Sequence, residues 1–186
     1  MAYNQAEIHP EEVPEGINTK AGRKILMTIT QEEADTLIAI EKYLANPQGV
    51  KIPKMREARI YPAYHKCYNK RRDDLDVSAY RGGIDENKVS YRLIYKKSIL
   101  LIRIDTNDKT AHINPDKSFI PPMTPHIHIY REGWGDKFAY PLPAEFSSKG
   151  ADIEKLFIEF LQYSNFINID ELSLSIIEQE VLIYDK

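Results

Sequence analysis

Residues 89–104 read VSYRLIYKKSILLIRI, and this stretch carries the clearest structural signal in the chain. β-branched and aromatic residues, which favour strands, dominate both of its halves. The halves, Val89–Tyr95 and 98–104, flank Lys96 and Lys97, so we predict a β-hairpin. The connecting residues include neither glycine nor asparagine, which leaves the turn type open.

Alternating patterns predict further strands on either side of this hairpin. Apolar residues alternate with polar or tyrosine residues from 75 to 80, before a turn at Gly82 and Gly83. Downstream, HIHIY at 126–130 alternates strictly, and a return strand at 137–142 follows a glycine-containing turn. The pattern indicates one antiparallel sheet, which includes residues 89–95, 98–104 and 126–131.

Two helices are predicted to flank the strands. Thr30 and Glu33 stand in capping-box relation at the start of a helix at 31–45, which Pro47 ends. A second helix at 151–163 places its large apolar residues on one face. This order predicts an α+β fold, in which two main helices pack on one face of an antiparallel β-sheet and leave the other at least partly open.

The ends of the chain carry weaker signals. Residues 1–24 are acidic and rich in turn formers, so we expect a flexible arm before a single α+β domain at 25–186. Near the C-terminus, we predict a short helix near 171–178 and a final strand at 180–184.

Composition indicates a cytoplasmic protein. Residues 1–22 contain no apolar signal segment, and the longest aliphatic run, at 99–102, is far shorter than the roughly 20 residues of a membrane span. Cys67 is the only cysteine, so an internal disulfide cannot form and a reducing compartment fits.

The net charge of −3 conceals an uneven distribution. Residues 1–50 carry −4, residues 51–103 carry +8 and residues 104–186 carry −7. The basic middle could contact phosphates of a nucleic acid, or it could be neutralised by the acidic flanks within the folded protein. The sequence leaves both interpretations open.

Several motifs resemble an uncharacterised family of bacterial and prophage proteins. The resemblance spans about residues 28–165, and its most specific part is the block PHIHIYREG at 125–133. The other shared motifs are QEEAD at 31–35, RID at 103–105, His112 with NPD at 114–116, and GDKFAYPLP at 135–143. This chain differs in having Lys117 after NPD, where the family has glycine, and in a longer, more basic stretch at 55–72. The family has no agreed function, so the resemblance indicates where a site lies and not its chemistry.

The histidine-bearing strand is the main candidate for a catalytic site. Because side chains alternate across a strand, we expect His126, His128 and Tyr130 to share one face, with Arg131 nearby. Two close imidazoles could carry out acid–base chemistry near neutral pH. His112 joins them as a third imidazole if the long, proline-stiffened loop at 105–125 folds back, as we expect. The alternative is that these histidines are structural.

The same residues could form a metal site. His126, His128 and Glu132 have the spacing of the first cupin motif, but no histidine follows His128 to complete such a site. We therefore expect no metal and no cofactor.

A basic and aromatic stretch is the candidate for nucleic-acid binding, because cations contact phosphates and rings stack on bases. The alternative is an irregular, solvated surface segment. Trp134, between two glycines, could stack on a base or fold back onto the sheet. The candidate residues are Lys54, Arg56, Arg59, Lys66, Lys70, Arg71, Arg72 and Trp134, with tyrosines interleaved at 61, 64 and 68.

Two functions fit these observations. The first is a binding or regulatory protein of phage or prophage, acting by protein–protein contact in phage–host conflict, for example as an inhibitor of a bacterial defence system. The second is a small, metal-independent ribonuclease or nuclease of the toxin type that uses the histidine strand. The expected partner is another protein or RNA or DNA, and not a membrane; the sequence does not indicate an oligomeric state.

Overall fold

A computed structural model describes residues 28–68, 70–85 and 87–173. These residues form mostly antiparallel β-sheet with two α-helices, which agrees with an α+β class. The helices are α1 (Gln31–Ala39) and α2 (Ile153–Tyr163). The strands are β1 (Lys42–Leu44), β2 (Ala58–Cys67), β3 (Lys70–Arg81), β4 (Val89–Tyr95), β5 (Ile99–Asp105), β6 (His112–Ile113), β7 (Phe119–Ile120), β8 (His126–Ile129) and β9 (Ala139–Pro141).

Seven of the described strands form the main sheet, in the order β1-β2-β3-β4-β5-β8-β9, and β6 pairs with β7 as a separate hairpin. Every neighbouring pair is antiparallel. The predicted hairpin of β4 and β5 is confirmed, and the histidine strand lies beside β5.

The two faces of the sheet differ in chemistry because alternate side chains point to opposite sides. One face contributes Val77, Tyr91 and Ile104 to the main core. The Tyr91 hydroxyl donates to the Ile153 carbonyl at 2.8 Å, and its ring packs edge-on against Phe157. Strand register places a polar set on the other face, which we call the polar face: Ser78, Tyr80, Ser90, Arg92, Arg103, Asp105, His126 and His128.

The helix starts follow from their caps. Thr30 accepts a hydrogen bond from the Glu33 amide at 3.1 Å, as expected for the start of α1. The Asp152 side chain likewise accepts from the Lys155 amide, so α2 begins within two residues of its predicted start.

The predicted end of the first helix, at residue 45, is wrong. The helix ends at Ala39, and Lys42–Leu44 instead forms β1, which pairs with β2. Pro47 begins a short 3₁₀ helix rather than ending an α-helix. The cross-strand hydrogen bonds to β2 therefore outweigh the helical spacing of the apolar residues here.

Most of the basic stretch forms a β-hairpin and is not irregular, although Lys54 and Arg56 precede it. β2 and β3 pair from Ala58 with Tyr80 to Cys67 with Lys70, with an irregularity in register between Ala63 and His65.

Some predictions lie outside the described residues. These are the arm at 1–24, the strand at 180–184 and most of the helix near 171–178. At the start of that predicted helix, Ile169–Glu171 forms a 3₁₀ helix. Within the described ranges, no helix has the length and apolarity needed to cross a membrane.

Candidate functional site

Three histidines meet at the β8 end of the polar face. The ring centroids of His126 and His128 are 5.0 Å apart, and that of His112 is 4.7 Å from His128 and 5.9 Å from His126. One ring nitrogen of each histidine lies within 4.8 Å of those of the other two. We call these residues the histidine cluster.

The long loop brings His112 to the cluster, which confirms that it is ordered and folds back. It forms the β6–β7 hairpin, in which His112 pairs with Ile120. The buried side chain of Asn114 fixes this hairpin to β9, because it donates to the Ala139 carbonyl at 2.9 Å and accepts from the Ala139 amide at 2.7 Å.

Each imidazole of the cluster donates one hydrogen bond to a backbone carbonyl. His126 Nδ1 donates to the carbonyl oxygen of Thr124 at 2.8 Å. His128 Nδ1 donates to the carbonyl oxygen of Asp136, also at 2.8 Å. His112 Nε2 bonds to the oxygen of residue 137 at 2.9 Å. A carbonyl only accepts, so the bonded nitrogen carries the hydrogen, and in the neutral ring the other nitrogen has a lone pair.

An arginine and two carboxylates border the cluster. Arg103 Nη2 lies 3.0 Å from His128 Nε2, and because arginine only donates, His128 accepts there. Arg103 also pairs with Asp105, at 2.8 Å, and with Asp136. Asp105 Oδ2 is 3.5 Å from His128 Nε2 and 4.0 Å from His126 Nε2. The sequence analysis did not select Arg103 or Asp105, although both belong to the RID motif.

The surroundings shift two pKa values. Burial raises the pKa of the Asp105 carboxyl, but the nearby His128, the Arg103 charge and the Ser90 hydroxyl outweigh it, so the net pKa is well below the usual range. Burial lowers the pKa of His126, and the adjacent imidazoles lower it further. The Thr124 carbonyl and the Asp105 carboxylate act in the opposite direction, but the net pKa is lowered. At neutral pH, Asp105 is therefore ionised and His126 is neutral.

A cleft of about 280 Å³ on the polar face reaches the cluster at Arg103 and Asp105. Arg92 lies in this cleft with its Nε 3.1 Å from the Ser90 hydroxyl, and Lys88 pairs with Asp108 at 3.1 Å. His126 and His128 are buried behind the cleft, whereas His112 is half-buried. The cleft thus contains three cations, of which Lys88 and Arg103 pair with carboxylates, and it adjoins the cluster.

The structure does not bring the other two catalytic candidates to the cluster. β8 ends at Ile129, and the buried Tyr130 donates its hydroxyl hydrogen to the Ile29 carbonyl at 2.8 Å. Arg131 stacks over the rings of Phe138 and Tyr140, at 4.4 and 5.6 Å. Their proposed catalytic roles remain predictions.

Four residues form a cation–aromatic ladder at the β1–β2–β3 end of the sheet: Lys66 lies over Tyr43, Tyr43 stacks on Tyr64 at 4.9 Å, and Arg71 lies over Tyr64 at 4.0 Å. Two of the nucleic-acid candidates, Lys66 and Arg71, therefore lie together.

The remaining nucleic-acid candidates are dispersed. Arg59 pairs with Glu57 at 2.7 Å, and Arg72 lines a groove beside α1 with His65 and Asp74. Lys54, Arg56 and Lys70 are exposed, and the half-buried Trp134 packs edge-on against Phe138.

The match to a protein family covers the fold and the cluster. A model described as a family of unknown function, DUF6978, matches residues 29–166. The chain belongs to this family. No curated protein and no solved structure matches the chain. Membership in DUF6978 therefore assigns no activity, and the argument for function rests on the site.

Proposed function

We propose that this DUF6978 protein cleaves phosphodiester bonds of RNA or DNA on its polar face. The observation that carries the proposal is the cleft lined by Arg92 and Arg103, because Arg103 also donates to His128 of the histidine cluster. The proposal keeps the histidine strand of the predicted metal-independent nuclease but not the exclusion of a metal, and Arg103 replaces Arg131 as the cation beside the imidazoles.

The cleft has the chemistry of a phosphate site. A guanidinium group presents a planar set of donors that matches two phosphate oxygens. Arg92 lines the cleft and bonds through Nε to Ser90, a bond that does not engage its terminal nitrogens. Lys88 adds a third cation, and Tyr80 a hydroxyl donor.

Phosphodiester cleavage needs a group that activates the attacking oxygen and cations that neutralise the phosphoryl oxygens. The histidine cluster suits the first role, and Arg92 and Arg103 suit the second. In this step an oxygen–phosphorus bond forms and the bond from phosphorus to the leaving oxygen breaks. The attacking oxygen loses its proton to the cluster or solvent, and the leaving oxygen gains one from solvent.

The polar face also offers a path for a longer strand. We infer that α1 and α2 both cover the opposite face, because Phe157 of α2 packs against Tyr91, and Glu33 of α1 accepts a bond from the Tyr95 hydroxyl. The polar face then remains open between the cleft and the cation–aromatic ladder, whose rings suit base stacking.

The test is a cleavage assay on labelled single-stranded RNA and DNA, with chelator or added divalent metal. Wild type should cleave at least one substrate, and Arg92→Gln should lower the rate at least about tenfold, because a charge-assisted contact to phosphate is lost. Lys155→Gln, at an exposed position on α2, is the matched control and should behave as wild type. Intact substrates under all conditions would refute the proposal.

A second candidate is the protein-binding role in phage–host conflict. Ile113 and Phe119 are cross-strand partners on the β6–β7 hairpin, and both side chains are exposed, which supports a contact surface for another protein. The phage setting rests on the family resemblance alone. A binder would leave nucleic acids intact, so the cleavage assay separates the two functions.

A further inference from the structure

We propose that His112, His126 and His128 bind one divalent transition-metal ion, with zinc as the probe for it. The inference deepens the proposed function and rests on it only for the ion's role in cleavage. The binding itself stands on the geometry of the three imidazoles. No histidine follows His128 in the sequence, but the third imidazole comes from His112, upstream of the strand.

The distances suit a site that closes around an ion. Zinc binds imidazole nitrogen at about 2.0–2.1 Å, which places tetrahedral ligand atoms roughly 3.3 Å apart. The three nitrogens, now within 4.8 Å of one another, need to approach by only about 1–1.5 Å. His112 is half-buried and lies outside the main sheet, so a shift of its side chain disturbs the sheet less than a shift of the other two imidazoles.

The hydrogen bonds around the cluster are those that hold metal-binding histidines. Such a histidine donates its other ring N–H to a carbonyl or carboxylate, which fixes the tautomer and the ring orientation. All three imidazoles donate to a backbone carbonyl.

Arg103 competes for one of the ligand atoms. Its Nη2 donates to His128 Nε2 at 3.0 Å, the nitrogen that an ion would take. The guanidinium pairs with Asp105 and Asp136 through Nε and Nη1, and not through the Nη2 that faces His128. Two carboxylates and one guanidinium carry a net charge of −1 beside the cluster, which favours a bound cation.

Asp105 lines the cleft and is the candidate for the fourth position on the ion. Asp105 Oδ2 lies 3.5 and 4.0 Å from the Nε2 atoms of His128 and His126, so it can coordinate the ion or orient a water on it. A zinc-bound water has a pKa near 7 and supplies a nucleophile at neutral pH. Imidazole ligands favour zinc and its transition-metal neighbours over magnesium or calcium.

Calorimetric titration of zinc chloride into chelator-treated, full-length protein tests the site. Wild type should bind one equivalent. His112→Ala, which changes a half-buried residue and should still fold, and the near-isosteric His128→Gln should each weaken binding at least about tenfold. His65→Ala removes a buried histidine elsewhere and should bind as wild type. Arg103→Met should bind more tightly, because it removes the competing donor.

Two results would overturn the inference: no stoichiometric binding by wild type, or wild-type affinity in His112→Ala with circular dichroism that shows a folded chain. Unchanged affinity in Arg103→Met would place the ion away from His128 Nε2 and overturn the assignment of that ligand. Cleavage by a protein that binds no zinc would remove this inference and keep the proposed function. Zinc binding without any cleavage would keep this inference and remove the proposed function.

Discussion

Both ends of the sheet bury titratable side chains, but they do so differently. At the β5–β8 end, three imidazoles each have one nitrogen bonded to a carbonyl, and one ring nitrogen of each lies within 4.8 Å of those of the other two. At the β1–β2 end, Lys42 donates to the carbonyls of Ile38 and Ile40, and His65 faces Asp74 at 3.1 Å. Lys42 is thus bonded within the fold and His65 contacts a single carboxylate, whereas the three imidazoles lie close enough together for a ligand to bind between them.

The largest expected difference between the two ends is in cleavage rate. His126→Ala should lower it at least about 10²-fold, because it removes a group that activates the attacking oxygen. His65→Ala should change it less than about threefold, since His65 lies at the other end of the sheet. Single-turnover cleavage of the preferred substrate measures both. Equal losses in the two variants would show that burial of a histidine, and not its position, accounts for the effect.

The contribution of the two ends to the free energy of unfolding can be compared through two asparagines, one buried and one half-buried. Asn114 bonds to both backbone groups of Ala139 at the cluster end, and Asn168 bonds to both of Leu44 at the other. Alanine at either position should cost about 2 kcal/mol in urea unfolding, because backbone groups lose their partners. Only Asn114→Ala should also weaken zinc binding and cleavage, since it frees the hairpin that carries His112. A parallel loss in Asn168→Ala would contradict the account.

The smallest effect concerns Lys42 and pH. Burial lowers its pKa from 10.5 to about 7. Between these values the unfolded chain binds more protons than the folded one, so the unfolding free energy should rise with pH across this window. We expect a rise of roughly 1 kcal/mol per pH unit between pH 7.5 and 9.5, absent in Lys42→Met. Lys155→Met should retain this rise of the unfolding free energy with pH. Loss of the rise in Lys155→Met would assign the effect to a group other than Lys42.

Local signals predicted the helix starts and strand types, because caps and alternation are short-range properties. The helix end at Ala39 depends on the pairing of β1 with β2, which lies some twenty residues away along the chain and has no local signature. A helix can therefore be located from its cap and still be given the wrong length.

The candidate site was predicted in part for a similar reason. Alternation in HIHIY placed His126 and His128 together, and a proline-rich loop suggested His112. The register that sets Asp105 opposite His126 and Arg103 opposite His128 is a tertiary property, so these two were not selected. Tyr130 was expected on the histidine face, but the strand ends one residue before it.

The protonation of the ring nitrogens tests the central claim most directly. Long-range ¹⁵N–¹H correlation spectra of histidine-labelled protein at pH 7.5 distinguish the two neutral tautomers and the imidazolium ion. We predict that His126 and His128 carry hydrogen on Nδ1 and His112 on Nε2, and that zinc shifts the three unprotonated nitrogens but leaves His65 unchanged. Imidazolium at two or three cluster positions, or equal shifts at His65, would contradict the account.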